Sequence, residues 1–476
     1  MKRKDLQHLN LNSTSFNTAP KSSTHTVIEG IDIRQNYSAK DVEAIELDFA
    51  AGFAPFVRGI SPLMYVQQPW NSELLPATNA LEAGNISYRK QLALGQKNLL
   101  FDLSSQTTAG SFTIDTVEDL NVLLAQLPLA KITATIRTNE ALLPLLAQYF
   151  VAAQEQGIDP KLLHGNLQYD ALDFTDESAP LLQKAILDSL VYTSQYMPNF
   201  KILSLSNSSL KERNSTAAQE IAYSLAQGLA LVTAGVQAQL PLDYVASQVV
   251  FSWTVGVNHF MEIAKMRAAR LLWAKLIRRF EPKNEQTLAL SIQAQTQTWG
   301  TEPTGDLTRT MVASTAAIFG GTQALSLAFD HPSYGEHTAL QLHKFIQEEM
   351  KATKTVDPWA GSYYVEHTTL TLAEQAWNIL ATIDPTDPIA HLVSQTVPQK
   401  ESSQQQIADT TSPRDPIQAQ RLASVKAQRN IKKVEAALAR LTQAATQSTS
   451  NLFALAIEAA RERATTEEIQ RALLSK

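Results

Sequence analysis

The stretch QVVFSWTVGVNHFMEIAKMRAARLLWAKLIRRF, residues 248–280, decides the fold. It opens with an apolar run of strand length, 248–253, and continues into a helical pattern over 257–280. The apolar residues of this second part recur at helical spacing and form one stripe: Val257, Phe260, Met261, Ala264, Ala268, Leu271 and Leu272. A near-continuously apolar strand followed by an amphipathic helix is typical of a parallel sheet that helices cover.

The same unit of strand and helix recurs between residues 98 and 329. The sequence predicts strands at 98–103, 131–136, 163–169, 201–206, 248–253, 288–293 and 323–329, with helices over 141–156, 179–196, 217–234 and 257–280. A TIM-type barrel has eight such strands. We therefore predict an α/β fold, a (β/α)8 TIM-type barrel with an N-terminal arm and a C-terminal helical segment, although the pattern does not locate the eighth strand.

Composition changes on both sides of this repeat. We predict an N-terminal arm that wraps a partner over 1–90, the barrel over 91–390, a polar linker over 391–416 and helices over 417–476. In the last segment Ile431, Val434, Leu438 and Leu441 have 3-4-3 spacing. Such a seam either pairs with another helix or packs back on its own barrel, and both alternatives stay open.

Composition also excludes several classes of function. The 476 residues are 44% hydrophobic and 18% charged, so they can form a large core, and the net charge of −6 lacks the basic excess that nucleic-acid binding needs. Cysteine is absent, which removes thiolate nucleophiles and disulfides and fits a reducing compartment. No secretory signal and no apolar run of membrane-spanning length is found. We expect a cytoplasmic protein that binds neither nucleic acid nor membranes.

Common catalytic and metal-binding motifs are missing from the sequence. There is no GxxxxGK[ST], no GxGxxG opening a helix, no GxSxG and no HExxH. His331, His337 and His343 are spaced by six residues, which turns a helix by about 240° and separates the side chains, so no metal site is predicted. At the predicted carboxyl ends of the strands, polar groups with few charges among them either cap the strands or line a ligand site: Gln168, Asp170, Ser206, Asn207, Gln293 and Gln295.

A set of motifs adds a resemblance that covers nearly the whole chain. In order they are APFVRG at 54–59, MY at 64–65, PW at 69–70, YRK at 88–90, GQK at 95–97, FDL at 101–103, DTVED at 115–119, YTS at 192–194, MP at 197–198, FMEIAKMRAARLLWAK at 260–275 and DPWAGSYYVE at 357–366. The chain thereby resembles the acyl-CoA mutase family, above all methylmalonyl-CoA mutase. The resemblance implies a radical migration between succinyl-CoA and methylmalonyl-CoA, with adenosylcobalamin supplying the radical inside a water-excluding barrel.

The cations that the resemblance implies for acyl-CoA binding are replaced in this chain. Gln68 and Glu73 stand where the family has arginines beside the PW motif, and Gln248 and Val250 stand where it has an arginine and a serine. A further arginine is expected after Gln168, in a stretch that holds acidic residues instead: Asp173, Asp176 and Glu177. Each lost guanidinium removes charged hydrogen bonds of about 1.5–3 kcal/mol apiece, so tight acyl-CoA binding is not expected.

The groups that the resemblance implies at the reacting end of the substrate are also changed. Leu75 replaces a tyrosine that steers radical formation, and Ser61 replaces an aromatic residue that sets acyl-group shape. Ser209 and Gln293 replace two histidines, although Gln295 and Thr296 of a His-x-Gln-Thr run remain. We predict no catalytic, cofactor-binding or metal-binding residue in this chain, only vestigial site positions: Ser61, Gln68, Glu73, Leu75, Gln168, Ser209, Gln248 and Gln293.

The resemblance further implies a cobalamin domain marked by an Asp-x-His-x-x-Gly motif, which this sequence does not contain. We therefore expect the small, non-catalytic subunit of a heterodimer, with no cofactor of its own, whose large catalytic subunit holds adenosylcobalamin. Two alternatives stay open: a catalytic, isobutyryl-CoA mutase-like subunit that uses a separate cobalamin-binding chain, and a stand-alone barrel with a new ligand. We also expect a filled or narrowed interior, because apolar residues stand where a substrate channel would be polar: Leu63, Leu75 and Val250.

Overall fold

A computed structural model of the chain describes residues 24–26, 31–43, 48–104, 110–138, 141–170, 179–208, 210, 215–300, 302–331, 333–383, 415–447 and 450–474. Ten strands are found in these ranges: β1 Thr24–Thr26, β2 Asp32–Arg34, β3 Asn71–Glu73, β4 Asn98–Asp102, β5 Thr133–Arg137, β6 His164–Asp170, β7 Phe200–Ser206, β8 Val249–Val255, β9 Ser291–Thr296 and β10 Ala324–Ser326. β1 and β2 form a small antiparallel hairpin. The other eight form one parallel sheet.

Fifteen α-helices accompany the strands in the described ranges. They are α1 Met64–Gln67, α2 Leu81–Ala93, α3 Val117–Leu123, α4 Leu142–Glu155, α5 Ala179–Tyr196, α6 Ala217–Gln237, α7 Leu242–Gln248, α8 His259–Arg278, α9 Pro303–Phe319, α10 Glu336–Lys344, α11 Tyr363–Leu380, α12 Pro416–Gln428, α13 Ile431–Gln447, α14 Leu452–Arg461 and α15 Thr466–Leu474. Hydrogen bonds to capping side chains fix the residue at which two of these helices begin. Thr116 and Asp119 form a capping box before α3, and Glu302 accepts the first N–H groups of α9 ahead of its Pro303.

The parallel sheet has the strand order β3-β10-β9-β8-β7-β6-β5-β4, and β3 lies beside β4 at the seam. The sheet is thus a nearly closed eight-stranded barrel surrounded by helices, as predicted. The eighth strand, which the sequence pattern did not locate, is β3. It lies inside the segment 1–90 that we assigned to the N-terminal arm, so the barrel begins before residue 91.

Alternation along the strands separates two environments. Apolar side chains point outward onto the helices: Phe101 of β4 lies 4.7 Å from Tyr88 of α2, and Phe251 of β8 lies 5.6 Å from Trp273 of α8, between ring centroids. Residues of the opposite parity point inward, and most are polar. At Gly165 in β6, φ is +152° and a Cβ would lie 1.9 Å from the Ala134 carbonyl oxygen, so only glycine fits this close pairing.

The C-terminal helices pack on the outside of the same barrel. α14 lies against α4 and α5, and α13 covers α14 and α15. In the predicted seam Val434 and Leu441 are buried, whereas Ile431 is 59% exposed. The seam therefore pairs with other helices, α14 and α15 of the same chain, which corresponds to the first alternative. Of the predicted linker 391–416, residues 391–414 lie outside the described ranges.

Candidate functional site

A chain of hydrogen bonds runs along one side of the barrel interior, from β3 past β4 to β5 and β6. The Thr135 hydroxyl donates to Glu73 Oε1 over 2.6 Å, and Asn166 Nδ2 donates to Thr135 Oγ1 over 3.2 Å. The three side chains come from β3, β5 and β6 and are nearly inaccessible to solvent. Burial raises the pKa of the Glu73 carboxyl, against the opposing influences of the Thr135 hydroxyl and Arg137. The predicted position Glu73 is therefore part of an ordered interior.

A second set of contacts lies toward the carboxyl ends of the strands. Gln168 donates through Nε2 to the Ser252 hydroxyl and faces Arg137, whose Nε lies 3.5 Å from Gln168 Oε1. Arg137 Nη1 also lies 3.3 Å from Asp102 Oδ2. Asp102 in turn accepts the Ser104 hydroxyl over 2.6 Å. An internal ion pair thus occupies the end of the barrel where TIM-type enzymes place their active sites.

Two more predicted positions line the interior. Gln248 is buried at the amino end of β8, where its Oε1 accepts the Ile202 N–H over 3.3 Å. Gln293 lies in β9 with 9% exposure, and its Oε1 is buried without a hydrogen-bond partner among the described residues. Val250, one of the apolar residues expected to narrow the interior, is 2% exposed in β8. The barrel therefore brings Glu73, Gln168, Gln248 and Gln293 to one interior surface.

The remaining predicted positions lie apart from this surface. Ser61 Oγ lies 3.6 Å from Met64 Sδ before α1, Gln68 is exposed after it, and Leu63 is 51% exposed, so Leu63 does not fill the interior. Leu75 is half-buried against Gly110. Other positions fall outside the described ranges: Ser209, Asp173, Asp176 and Glu177.

At the carboxyl ends of the strands, two of the predicted polar residues form hydrogen bonds within the framework of the barrel. The Asn207 amide donates to Glu220 Oε2 over 3.0 Å and its Oδ1 accepts the Thr254 N–H over 3.1 Å, which ties β7 to β8 and α6. Asp170 Oδ2 accepts the Ser208 hydroxyl over 3.0 Å. These contacts favour a strand-capping role for Asn207 and Asp170.

The motifs that carry the resemblance build the supporting framework. Arg267 of α8 pairs with Asp357 and, over 2.6 Å, with Glu366, while Arg58 reaches Asp357 over 3.3 Å. Arg270 donates to the Val57 and Gly320 carbonyls, and burial lowers its pKa to about 10. The motifs at 54–59, 260–275 and 357–366 thereby fasten the N-terminal segment to the barrel.

The PW motif is held by a buried histidine. Trp70 Nε1 donates to His343 Nδ1 over 3.0 Å, and His343 is 1% exposed. Burial lowers the pKa of His343 to about 3, so the imidazole is neutral at physiological pH. Among the described residues no group of three His, Cys, Asp or Glu side chains is arranged to hold a metal ion.

Sequence reasoning missed Arg137 and Asp102. The signal for Arg137 was the polar alternation of β5, where Thr133, Thr135 and Arg137 share the inward face. Comparing that alternation with Asn166 and Gln168 of the neighbouring β6 would have predicted that both strands direct polar side chains into the barrel.

Comparison with known proteins identifies the family. The fold defines the class, an α/β TIM-type barrel whose inward-facing side chains are mostly polar. The family profile described as Methylmalonyl-CoA mutase matches residues 26–415 and 407–476, and the chain belongs to this family. No helix in the described ranges is both long and apolar enough to cross a bilayer.

Individual relatives agree with this assignment. A methylmalonyl-CoA mutase large subunit of Streptomyces virginiae is 35% identical over 94% of this chain and 70% of its own length. A large subunit of Porphyromonas gingivalis is 34% identical over 93% and 70%, respectively. A mitochondrial methylmalonyl-CoA mutase of Mus musculus is 33% identical over 94% and 68%.

Proposed function

We propose that this chain is the small, non-catalytic subunit of a heterodimeric methylmalonyl-CoA mutase. The interconversion of succinyl-CoA and methylmalonyl-CoA would take place on a large subunit, and this chain would support that subunit's barrel. The proposal assigns adenosylcobalamin to the large subunit.

The closed barrel interior is the observation that carries the proposal. At mid-barrel, side chains of β3, β5, β6, β7 and β8 are each exposed by 4% or less: Glu73, Thr135, Asn166, Gln168, Ser204 and Ser252. A bore wide enough for the pantetheine arm of an acyl-CoA would leave such side chains accessible to water. Hydrogen bonds among these residues stand where that arm would have to pass.

The ionisable side chains inside the barrel also support a non-catalytic role. Glu73 and the Arg137–Asp102 pair are internal ionisable groups, and each is bonded to other interior side chains. Opening the interior at Glu73 would break its hydrogen bond with the Thr135 hydroxyl, which costs free energy. The Arg137–Asp102 pair joins register partners on the neighbouring strands β5 and β4. Leu75 supplies no hydroxyl near the end of β3.

A catalytic subunit that borrows its cobalamin from a separate chain is the second candidate. Its support is that relatives from Streptomyces virginiae and Porphyromonas gingivalis are named large subunits and that Gln168 is retained in the interior. This candidate requires the interior contacts to open for substrate.

The two candidate functions predict different partner proteins in a purification and a different enzymatic activity for this chain. We would isolate the chain from its native cells, identify its partner by mass spectrometry, and assay both the complex and the chain alone with adenosylcobalamin and succinyl-CoA. A stoichiometric large chain that contains Asp-x-His-x-x-Gly, with turnover in the complex only, supports the proposal. Turnover by this chain with a small cobalamin-binding protein would refute it.

A further inference from the structure

A small cavity lies among the outer helices of the barrel. It has a volume of about 20 Å³ and is bounded by α1, α8, the end of α9 and residues 355–358. None of its lining residues belongs to a strand, so the cavity is separate from the barrel interior. A water molecule needs about 10–15 Å³ of such space. The cavity therefore has room for one particle of about that size and is too small for a phosphate group.

Three guanidinium groups line this cavity, and one carboxylate lies between two of them. Arg58 and Arg267 both donate to Asp357 Oδ2, and Arg267 also pairs with Glu366 over 2.6 Å. The third guanidinium belongs to Arg270, one helical turn after Arg267 in α8. Three arginines and two carboxylates give this group one uncompensated positive charge.

Arg270 carries that uncompensated charge. Its side chain is almost fully buried, its Nη2 donates to the Gly320 carbonyl over 2.7 Å, and its Nε and Nη2 both donate to the Val57 carbonyl. In the described ranges no carboxylate pairs with Arg270, and its Nη1 is buried without a hydrogen-bond partner. Burial, and then the neighbouring charge of Arg267, lower the pKa of Arg270. A buried cation with an unused donor is unfavourable unless a further partner reaches it.

The space beside this donor depends on a glycine. Gly321 lines the cavity with φ +83°, and a Cβ at this position would lie 3.3 Å from Arg270 Nη1. Arg267 Nε is a second buried donor that lacks a partner among the described residues. Asp357 Oδ1 is an unpartnered acceptor in the same lining and opposes an anion beside it, but Oδ2 of this carboxylate is already held by two arginines. The lining thus offers two cationic donors against one acceptor.

We propose that this cavity binds a single monatomic anion, chloride, against the guanidinium group of Arg270. Chloride accepts hydrogen bonds from several N–H groups at once, is little larger than a water molecule, and brings the charge of the surrounding group to zero. A water molecule would satisfy the same donors but leave the buried charge uncompensated. This inference goes beyond the proposed function and does not depend on it, since both candidate functions need the same framework.

Anomalous diffraction tests the site directly on the full chain. Crystals are grown in sodium bromide, because bromide replaces chloride and scatters anomalously at an accessible wavelength. We expect an anomalous peak within hydrogen-bonding distance of Arg270 Nη1. An ordered water at this place without anomalous signal, or a cavity with no bound particle, would overturn the proposal.

Chloride-linked stability tests the site in solution. Urea unfolding is measured in sodium chloride and in sodium gluconate of equal ionic strength, since gluconate is too large for the cavity. Chloride binding to the folded chain lowers the unfolding equilibrium constant about tenfold for each tenfold rise in chloride above its Kd. Equal stability of the parent in the two salts at every concentration would contradict the proposal.

Two variants separate this site from a general effect of salt. Arg58→Gln removes one of the three cations and leaves the contacts of Arg270 in place, so it should lose most of the chloride dependence. Arg279→Gln, at an exposed position just after α8, should keep the dependence of the parent. The same chloride dependence in both variants would count against the site. If Arg58→Gln does not fold, the bromide experiment on the parent decides alone.

Discussion

Thr135 and Glu73 are joined across the barrel interior by a hydrogen bond of 2.6 Å from the Thr135 hydroxyl to Glu73 Oε1. The two residues belong to β5 and β3, on either side of β4, so the contact spans a strand that takes no part in it. A buried carboxyl with one hydroxyl donor is poorly compensated when ionised. Ionisation of the Glu73 carboxyl therefore makes the stability of the barrel depend on pH.

Glu73→Gln should change the pH dependence of stability. The folded-state pKa of Glu73 is raised above its ordinary value of 4.5, so the parent loses stability as pH rises from about 4.5 through the folded-state pKa. The variant lacks this loss. It should match the parent within about 0.5 kcal/mol at pH 4 and exceed it at pH 8, each unit of pKa difference being about 1.4 kcal/mol.

Urea unfolding at both pH values measures this effect, with Glu435→Gln on the exposed face of α13 as the matched control. A variant that is less stable than the parent at pH 8 would show that ionised Glu73 stabilises the barrel.

Asp357→Asn should destabilise the framework strongly. Asp357 faces both Arg267 and Arg58, and removing its charge leaves two guanidinium groups with weaker partners. Breaking a buried pair costs about 3–5 kcal/mol. Glu467→Gln, which breaks the exposed pair with Arg471, should cost no more than about 0.5 kcal/mol. Denaturant unfolding compares the two, and similar losses in both variants would contradict the framework role.

His343→Phe should reduce acid sensitivity. Because the folded-state pKa of His343 falls from 6.5 to about 3, the parent loses stability as pH drops below 6.5, where the unfolded chain takes up the proton. The variant should be less stable at pH 7 by about 1–3 kcal/mol, since the Trp70 N–H loses its acceptor. Its stability should decline less than the parent's between pH 7 and pH 5. Replacing the exposed His337 with Gln, as a control, should change stability at pH 7 by no more than about 0.5 kcal/mol.

Leu75→Tyr combined with Ser209→His should restore no mutase activity. Two side chains do not reopen an interior that Glu73, Thr135 and Asn166 close, and residues that act as a unit are not rescued singly. The assay adds adenosylcobalamin, succinyl-CoA and a cobalamin-binding chain, and follows methylmalonyl-CoA. Measurable turnover would favour the catalytic alternative.

Local pattern was sufficient for most of the architecture. The strand predicted at 201–206 corresponds to β7, and the helix predicted at 257–280 corresponds to α8, each with its ends shifted by no more than two residues. Both were predictable because buried side chains recur with a fixed period along a strand or a helix. The eighth strand was missed for a physical reason. β3 has only three residues, Asn71–Glu73, and its inward positions are polar, so it has no apolar run.

The order of strands and helices could be predicted from the chain alone, because it depends on residue type and spacing. The framework motifs and the changed site positions came from the resemblance to a family, and the roles of the site positions stay predictions. The packing of Val434 and Leu441 against α14 and α15 could not be predicted, since a seam of four residues fits several surfaces equally well. Nor could the pairing of Glu73 with Thr135 or of Arg137 with Asp102 be predicted. Both contacts join residues from different strands: the register between β4 and β5 sets Arg137 opposite Asp102, and closure of the sheet brings β3 within reach of β5.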